Sequence, residues 1–554
     1  MVANQPNENL FNLQALIIHI FRSGALRRSE APRAAAWAIG HVQYCNVLVW
    51  NPTIGTSHVR LLGKIADLLA ADGHNVTIVS PIIDPLVNMV GHKSSITQIP
   101  YHSKYMAHEE FSKIEIKGST LWDMPFVEGR SVTISDYEMF VDSMRMMCRG
   151  VLEDGDFLNL LRSFNFDVAI HEVYEMSSVA IFELIGVKRT VVVSAIGTSP
   201  FTQHIAGLPA QTSFVPGTYS TYSDDMTFWE RLDNFKLDLQ MRYYYYIWER
   251  NIWKLANNIS SGFPSLSDLL QKKTGVVLSN VNDFTETPRP TASIIRRVGG
   301  LTVPKPKPVD QNIDKILNER SQNVYFSMGS FALSKDMPKW LKQDITNAFA
   351  NFPNTTFIWK YEDDSDAELL TNHPNIHRMT WAPQVDLLGD RRLSLFITHA
   401  GMNSALEATF YGKPLVAVPL FSDQILNAKS LEKSGLAVVI NRRALNEHSL
   451  TAAIKQVLDP KASYSRKAEA AARYLHGQAE HARAEVLRWV KLVAEDGQME
   501  HLLLHSRNMS FIQYHNIDVL MYLLIQISLV FYIVTRFVRL VLSRVVALRR
   551  EKIE

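Results

Sequence analysis

Two stretches of this chain run strand, loop, helix, strand, and that order constrains the fold more than any other feature. In the first, Asn46-Val47-Leu48-Val49-Trp50 is apolar, and a polar loop runs from Asn51 to His58. Val59, Leu61, Leu62, Ile65, Leu68 and Leu69 then recur at helical spacing up to Gly73, and Val76–Val79 is apolar again. Short apolar runs joined by a helix are strands of a parallel sheet whose faces are both covered. Val168–His171 and Thr190–Val193 read as further strands around a helical stretch, Ser177–Ile185. The second stretch starts at Val324–Ser327 and continues with a helix at Met337–Ala350 and strands at Thr356–Lys360 and Leu395–Thr398. A helix at Asn403–Tyr411 and a strand at Leu415–Val418 complete it. Between the two lies Pro304-Lys305-Pro306-Lys307-Pro308, an extended, semi-rigid spacer. The pattern predicts an α/β protein of two doubly wound, Rossmann-like domains facing each other across a cleft. Neither half contains G-x-G-x-x-G, which argues against a nicotinamide or flavin enzyme.

Charge sharpens the class. The 554 residues hold 57 Lys+Arg and 55 Asp+Glu, a formal +2. A dedicated nucleic-acid binder would need a basic footprint that this balance does not supply. The two cysteines, Cys45 and Cys148, cannot build a disulfide framework or a multi-thiolate metal domain. The positive charge sits at the C-terminus. Val519–Thr535 carries no charge, and the last stretch, Arg536–Glu554, holds six basic and two acidic residues. This predicts a single membrane-spanning helix over 516–542 and a basic cytosolic tail over 543–554. The preceding residues would then lie on the lumenal side, in keeping with N-x-S/T acceptors at Asn258, Asn354 and Asn508. Residues 1–42 form an atypical N-terminal segment, with Arg22, Arg27, Arg28 and Arg33 where a cleavable signal would end in small residues; it reads as an unconventional signal, a targeting peptide or an imperfect gene model.

Residues 396–424 carry the chemistry. The strand ending at Thr398 is followed by His399-Ala400-Gly401-Met402-Asn403-Ser404, where a helix begins. Unpaired backbone N–H groups at a helix start favour an anion such as a diphosphate, and His399, Asn403 and Ser404 add side-chain donors. Glu407 lies one turn on from Ser404, and its carboxylate can accept from both hydroxyls of a vicinal diol such as a ribose. Asp423-Gln424 follow the next strand and could reach sugar hydroxyls.

This stretch resembles the signature of the UDP-glycosyltransferases. Trp381-Ala382-Pro383-Gln384 resembles the family's nucleotide-base loop, in which Trp381 would stack on uracil and Gln384 would contact the nucleoside. Ser327-Met328-Gly329-Ser330 resembles its phosphate loop, with Met where Phe is usual. Phe214-Val215-Pro216, Ser223–Phe228 with Arg231 and Asn234, and Val298-Gly299-Gly300 are similar to the animal membrane-bound, UDP-glucuronosyltransferase-like branch. The resemblance covers about 43–535 and implies the two-domain GT-B fold. An acceptor-binding domain would occupy 43–300, a linker 301–319 and a UDP-sugar-binding domain 320–500.

The resemblance further implies transfer of a glucuronosyl or glucosyl group, with inversion, from UDP-glucuronate or UDP-glucose to a small lipophilic acceptor. No cofactor or metal beyond the UDP-sugar co-substrate is implied. Location in the endoplasmic reticulum membrane and a role in conjugating foreign compounds follow from the same likeness, and a homo-oligomer is compatible with it. His58 matches the family's catalytic base. Glu172 stands where the family usually places an Asp to hold that base, one methylene longer. A metal site on Asp154-Gly155-Asp156 or Asp364-Ser365-Asp366 is the rival mechanism. A non-catalytic, membrane-anchored binding protein on the same fold is the rival function. Tyr243–Tyr246 with Trp248 and Trp253 form an aromatic cluster suited to helix packing, an acceptor pocket or a membrane surface.

Overall fold

The computed structural model describes residues 44–84, 87, 90–106, 122, 134–330, 332–363, 373–550 and 552. The N-terminal segment 1–42 and Asp364-Ser365-Asp366 lie outside the described residues. Asn46–Glu554 form one compact unit, which carries both sheets.

The first sheet holds β1 (Asn46–Trp50), β2 (Asn75–Pro81), β3 (Thr97–Tyr101), β4 (Val168–Glu172), β5 (Thr190–Ser194), β6 (Thr274–Ser279) and β7 (Ile295–Arg297). Their order is β3-β2-β1-β4-β5-β6-β7, and every pairing is parallel. The second sheet holds β8 (Gln322–Ser327), β9 (Thr355–Lys360), β10 (Ile376–Met379), β11 (Leu393–Thr398), β12 (Leu415–Ala417) and β13 (Ala437–Val439). It runs β10-β9-β8-β11-β12-β13, again parallel throughout. Val47, Leu48, Val49 and Trp50 are all fully buried, as a strand covered on both faces requires. Each such side chain stabilises the fold by about 1.5–3 kcal/mol relative to exposure.

Strand order reverses between β1 and β4 in one sheet and between β8 and β11 in the other. Open α/β sheets present a crevice at the carboxyl end of such a reversal. Helix α1 (Thr56–Ala71) enters the first crevice. It begins at Thr56 rather than after His58, because Gly55 at φ 65° turns the chain into the helix early. That left-handed conformation suits glycine. His58 therefore sits in the first helical turn, where the sequence had suggested loop.

Helix α2 (Phe228–Ile259) absorbs the aromatic cluster. Tyr244 and Trp248 are buried in the first core, while Tyr243 and Tyr246 are exposed. The expected linker 301–319 contains helix α3 (Gln311–Leu317), whose Ile313, Ile316 and Leu317 are buried against the second sheet. Helices α4 (Met402–Phe410) and α5 (Gln424–Lys433) follow β11 and β12. Helix α6 (Gln478–Asp496) returns to the first sheet. Its Val493 packs over Gly275 of β6, and Arg296 of β7 lies 4.4 Å above the Trp489 ring. Asn282 Nδ2 donates to Thr409 Oγ1 at 2.9 Å, and Thr287 and Ser430 hydroxyls meet at 3.0 Å, so the two halves are also joined by buried polar contacts.

Helix α7 (Ile517–Arg550) is, among the described residues, the one helix long and apolar enough to cross a membrane. It continues as helix through the basic residues expected to form a separate tail.

Candidate active site

The carboxyl ends of the two sheets bring the sequence-marked residues together. Glu172 ends β4, beside β1, and His58 opens the helix that follows β1. His58 Nδ1 lies 2.8 Å from both carboxylate oxygens of Glu172. The longer side chain thus reaches its partner. Glu172 is fully buried, and its Oε1 also accepts from the Ala195 N–H at 3.1 Å, which fixes the carboxylate plane. Tyr174 meets the His58 ring edge-on at 5.1 Å. Burial pushes the imidazole pKa down, but the charge and hydrogen bond of Glu172, aided by Asp423, outweigh it and leave the value raised. A carboxylate on Nδ1 leaves Nε2 as the ring nitrogen free to take a proton.

Opposite stand the β8 and β11 loops. Gly329 has φ 85°, and a Cβ there would stand 2.6 Å from the His399 ring. A Cβ on Gly401 would stand 2.5 Å from His399 Nε2, so both glycines are required by the close approach of that ring. Ser327 Oγ accepts from the Gly329 N–H at 3.3 Å. Ser330 is exposed. Burial, reinforced by Lys360, depresses the His399 pKa to about 4. The ring is therefore neutral at ordinary pH and has one N–H to donate. Gly401 caps α4 with no side-chain cap, so the N–H groups at the start of this helix, which carries Asn403 and Ser404, have no such partner.

Gln384 Nε2 donates to Ser404 Oγ at 3.2 Å and to Glu407 Oε2 at 2.6 Å. Burial raises the Glu407 pKa to about 7, against the pull of Gln384 and Arg60. Trp381, at 69% exposure, presents a bare ring beside this group. Asp423 is raised by burial, with Asn427 and His58 opposing. Gln424 is turned inward: its Oε1 accepts from Leu420 N at 2.9 Å and Phe421 N at 3.2 Å, so its carbonyl shapes its own loop.

Sequence reasoning missed several members. Asn427 donates to Ala400 O at 3.1 Å and Asp423 Oδ2 at 2.8 Å, tying the β11 and β12 loops together. Both loops carry a non-glycine residue in the left-handed region, Ala400 at φ 60° and Ser422 at φ 57°. Such backbone costs on the order of 1–3 kcal/mol and persists where the surroundings over-determine it. Lys360 Nζ donates to Gly329 O at 2.6 Å and pairs with Glu362 at 3.0 Å, which sets a cation behind the β8 loop. The one signal for Asn427 was its i+4 spacing from Asp423, and for Lys360 its place at the carboxyl end of β9.

Asp154 caps the helix Gly155–Ser163, accepting from Phe157 N at 2.9 Å, so this acidic turn has a structural role. No cluster of His, Cys, Asp and Glu with metal-binding geometry occurs among the described residues.

The family model described as UDP-glucoronosyl and UDP-glucosyl transferase matches residues 45–552. The chain belongs to this family. The Caenorhabditis elegans protein ugt-50 is 28% identical over 509 residues, covering 89% of this chain and 94% of its own length. Human UDP-glucuronosyltransferase 2B7 is 27% identical over 502 residues, covering 88% of this chain and 92% of itself. Among solved structures, the calicheamicin glycosyltransferase CalG4 superposes with a TM-score of 0.55 at 14% identity, covering 82% of this chain and all of its own. That likeness speaks to the fold, which is the GT-B arrangement of two parallel sheets.

Proposed function

We propose that this chain transfers a hexosyl group from a UDP-sugar to a small lipophilic acceptor with inversion, using His58 as general base. The observation that carries the reading is the His58–Glu172 pair, set within electrostatic reach of Asp423 across the two halves. His58 Nε2 takes the acceptor hydroxyl proton as the acceptor oxygen bonds to the anomeric carbon. The bond to the diphosphate breaks, and its electron pair leaves with UDP. The imidazolium formed is stabilised by Glu172. The developing charge on UDP is met by the β8 loop, neutral His399 and the start of α4. Trp381 stacks on the base, Gln384 and Glu407 hold the nucleoside, and Asp423 and the Gln424 amide address the sugar.

In this reading residues 43–300 bind acceptor and 320–500 bind donor, with α6 bridging back. No metal is needed, since the cradle of N–H groups supplies the charge. Helix α7 is the anchor of a single-pass protein with its catalytic half in the lumen of the endoplasmic reticulum. The donor is UDP-glucuronate or UDP-glucose. Incubation of the purified full chain with each, against one phenol, should give sugar transfer from one of them. His58→Ala should lower kcat by about 10²–10⁴-fold with UDP affinity kept. A variant retaining most of its turnover would remove His58 from this role.

A further inference from the structure

The segment 211–227, which leads into α2, crosses from one half of the molecule to the other. Its base is held by α2. Buried Asn234 donates through Nδ2 to Thr212 O at 2.8 Å and Val215 O at 2.9 Å, and its Oδ1 accepts from Gly217 N at 2.9 Å. The Tyr222 hydroxyl donates to Asp233 Oδ2 at 2.9 Å. The far end is held by the second half, where Lys433 at the close of α5 pairs with Asp224. Asp423 stands at the opposite end of α5, as the residue before its first turn. A helix of that length runs about 15 Å. The stretch from Tyr219 to Asp224 can span about 17 Å when extended. The strap can therefore follow α5 back to Asp423, with Tyr219 arriving there.

The electrostatics agree with that placement. The Tyr219 ring packs on the first core, and its hydroxyl lies within electrostatic reach of Asp423, which also faces His58. Burial, with the Asp423 charge adding to it, pushes the phenol up to about 12, so it keeps its proton. The hydroxyl nevertheless makes no hydrogen bond among the described residues. A donor from the first half and a carboxylate from the second thus face each other beside the base with no hydrogen bond between them. The hydroxyls of a sugar ring both accept and donate, and so suit both walls of that space.

We infer that Tyr219 is a specificity-determining residue for the donor, its hydroxyl bonding a ring hydroxyl of the transferred sugar from the side opposite Asp423. Both halves then recognise the sugar, while UDP itself is recognised by the second half. The inference rests on the transferase reading above, and the experiment separates the two.

Tyr219→Phe removes one oxygen and keeps the ring on the core. Calorimetry on the full chain, without acceptor, compares UDP, UDP-glucose and UDP-glucuronate in parent and variant. UDP should bind the two proteins within about twofold of each other. The tighter-binding of the two UDP-sugars should bind the variant about 3–10-fold more weakly, the worth of one neutral hydrogen bond. Among the monodeoxy analogues of that sugar, one should bind parent and variant alike, because the partner hydroxyl is already missing. A UDP-sugar affinity within about twofold of the parent overturns the inference. An equal loss of UDP and UDP-sugar affinity overturns it too, as does a loss that persists with every analogue. A parent chain that transfers sugar from neither donor defeats the transferase reading instead, and the binding comparison still decides the role of Tyr219.

Discussion

Replacing Glu172 by Gln tests the chemistry through a change of one atom type in a fixed place. The carboxylate holds His58 Nδ1 at 2.8 Å and takes the Ala195 N–H at 3.1 Å. In the variant the amide oxygen keeps the Ala195 N–H, so the NH₂ turns to Nδ1. An NH₂ can only donate, so Nδ1 must accept and the ring proton moves to Nε2, the nitrogen that should be a base. The imidazolium also loses its counter-charge. Removing one partner of a buried pair costs about 3–5 kcal/mol. His58 is 22% exposed, which places the effect toward the low end. At about 1.4 kcal/mol per tenfold, kcat should fall by roughly 10²–10³.

The pH profile should move in a direction that simple damage would not produce. The His58 pKa is raised because Glu172 overcomes burial. With the charge gone, burial dominates and the pKa drops, so the acid limb of kcat/KM shifts to lower pH while the plateau falls. The assay is transfer of radiolabelled sugar over about pH 5 to 9, with UDP affinity as the control for folding. A plateau within about threefold of the parent, or an acid limb displaced upward, would refute the account.

Three further outcomes follow from the donor side. Glu407→Ala should weaken UDP binding by about 10–100-fold in calorimetry, the worth of hydrogen bonds to a charged acceptor. In the parent, UDP affinity should fall as pH drops below about 7, where the raised Glu407 carboxyl takes up its proton; in the variant that dependence should be absent. Gly329→Ala, which forces a Cβ toward the His399 ring from φ 85°, should raise KM for the UDP-sugar more than it changes KM for acceptor. Turnover should persist in excess chelator, and loss restored by magnesium or manganese would revive a metal mechanism.

Much of the framework was legible because fully apolar strands announce themselves. Val47–Trp50 and Leu395–Thr398 needed no context, and the segments that follow them carried His58 and His399. The remainder depended on distance in space. Glu172 is 114 residues from His58, and only the adjacency of β1 and β4 shows that its extra methylene still reaches. Gln424 looked outward in sequence, yet the N–H groups of its own loop claim its carbonyl. The tyrosine run at 243–246 could not be resolved by composition, because neighbouring residues on a helix point in different directions. Burial divides it into core and surface. The short strand β10, Ile376-His377-Arg378-Met379, left no clear period to read, and the apolar run Leu436–Ile440 that holds β13 was passed over.

The path of α6 has a practical consequence for dissecting this enzyme. Cutting the chain at the proline spacer would not yield two self-sufficient pieces. The front piece would lose the helix that shields β4, β5 and β6, and the rear piece would carry Trp489, Val490 and Val493 into water. Hybrids made by exchanging halves with a relative must therefore take residues 478–496 from the parent that supplies the first sheet.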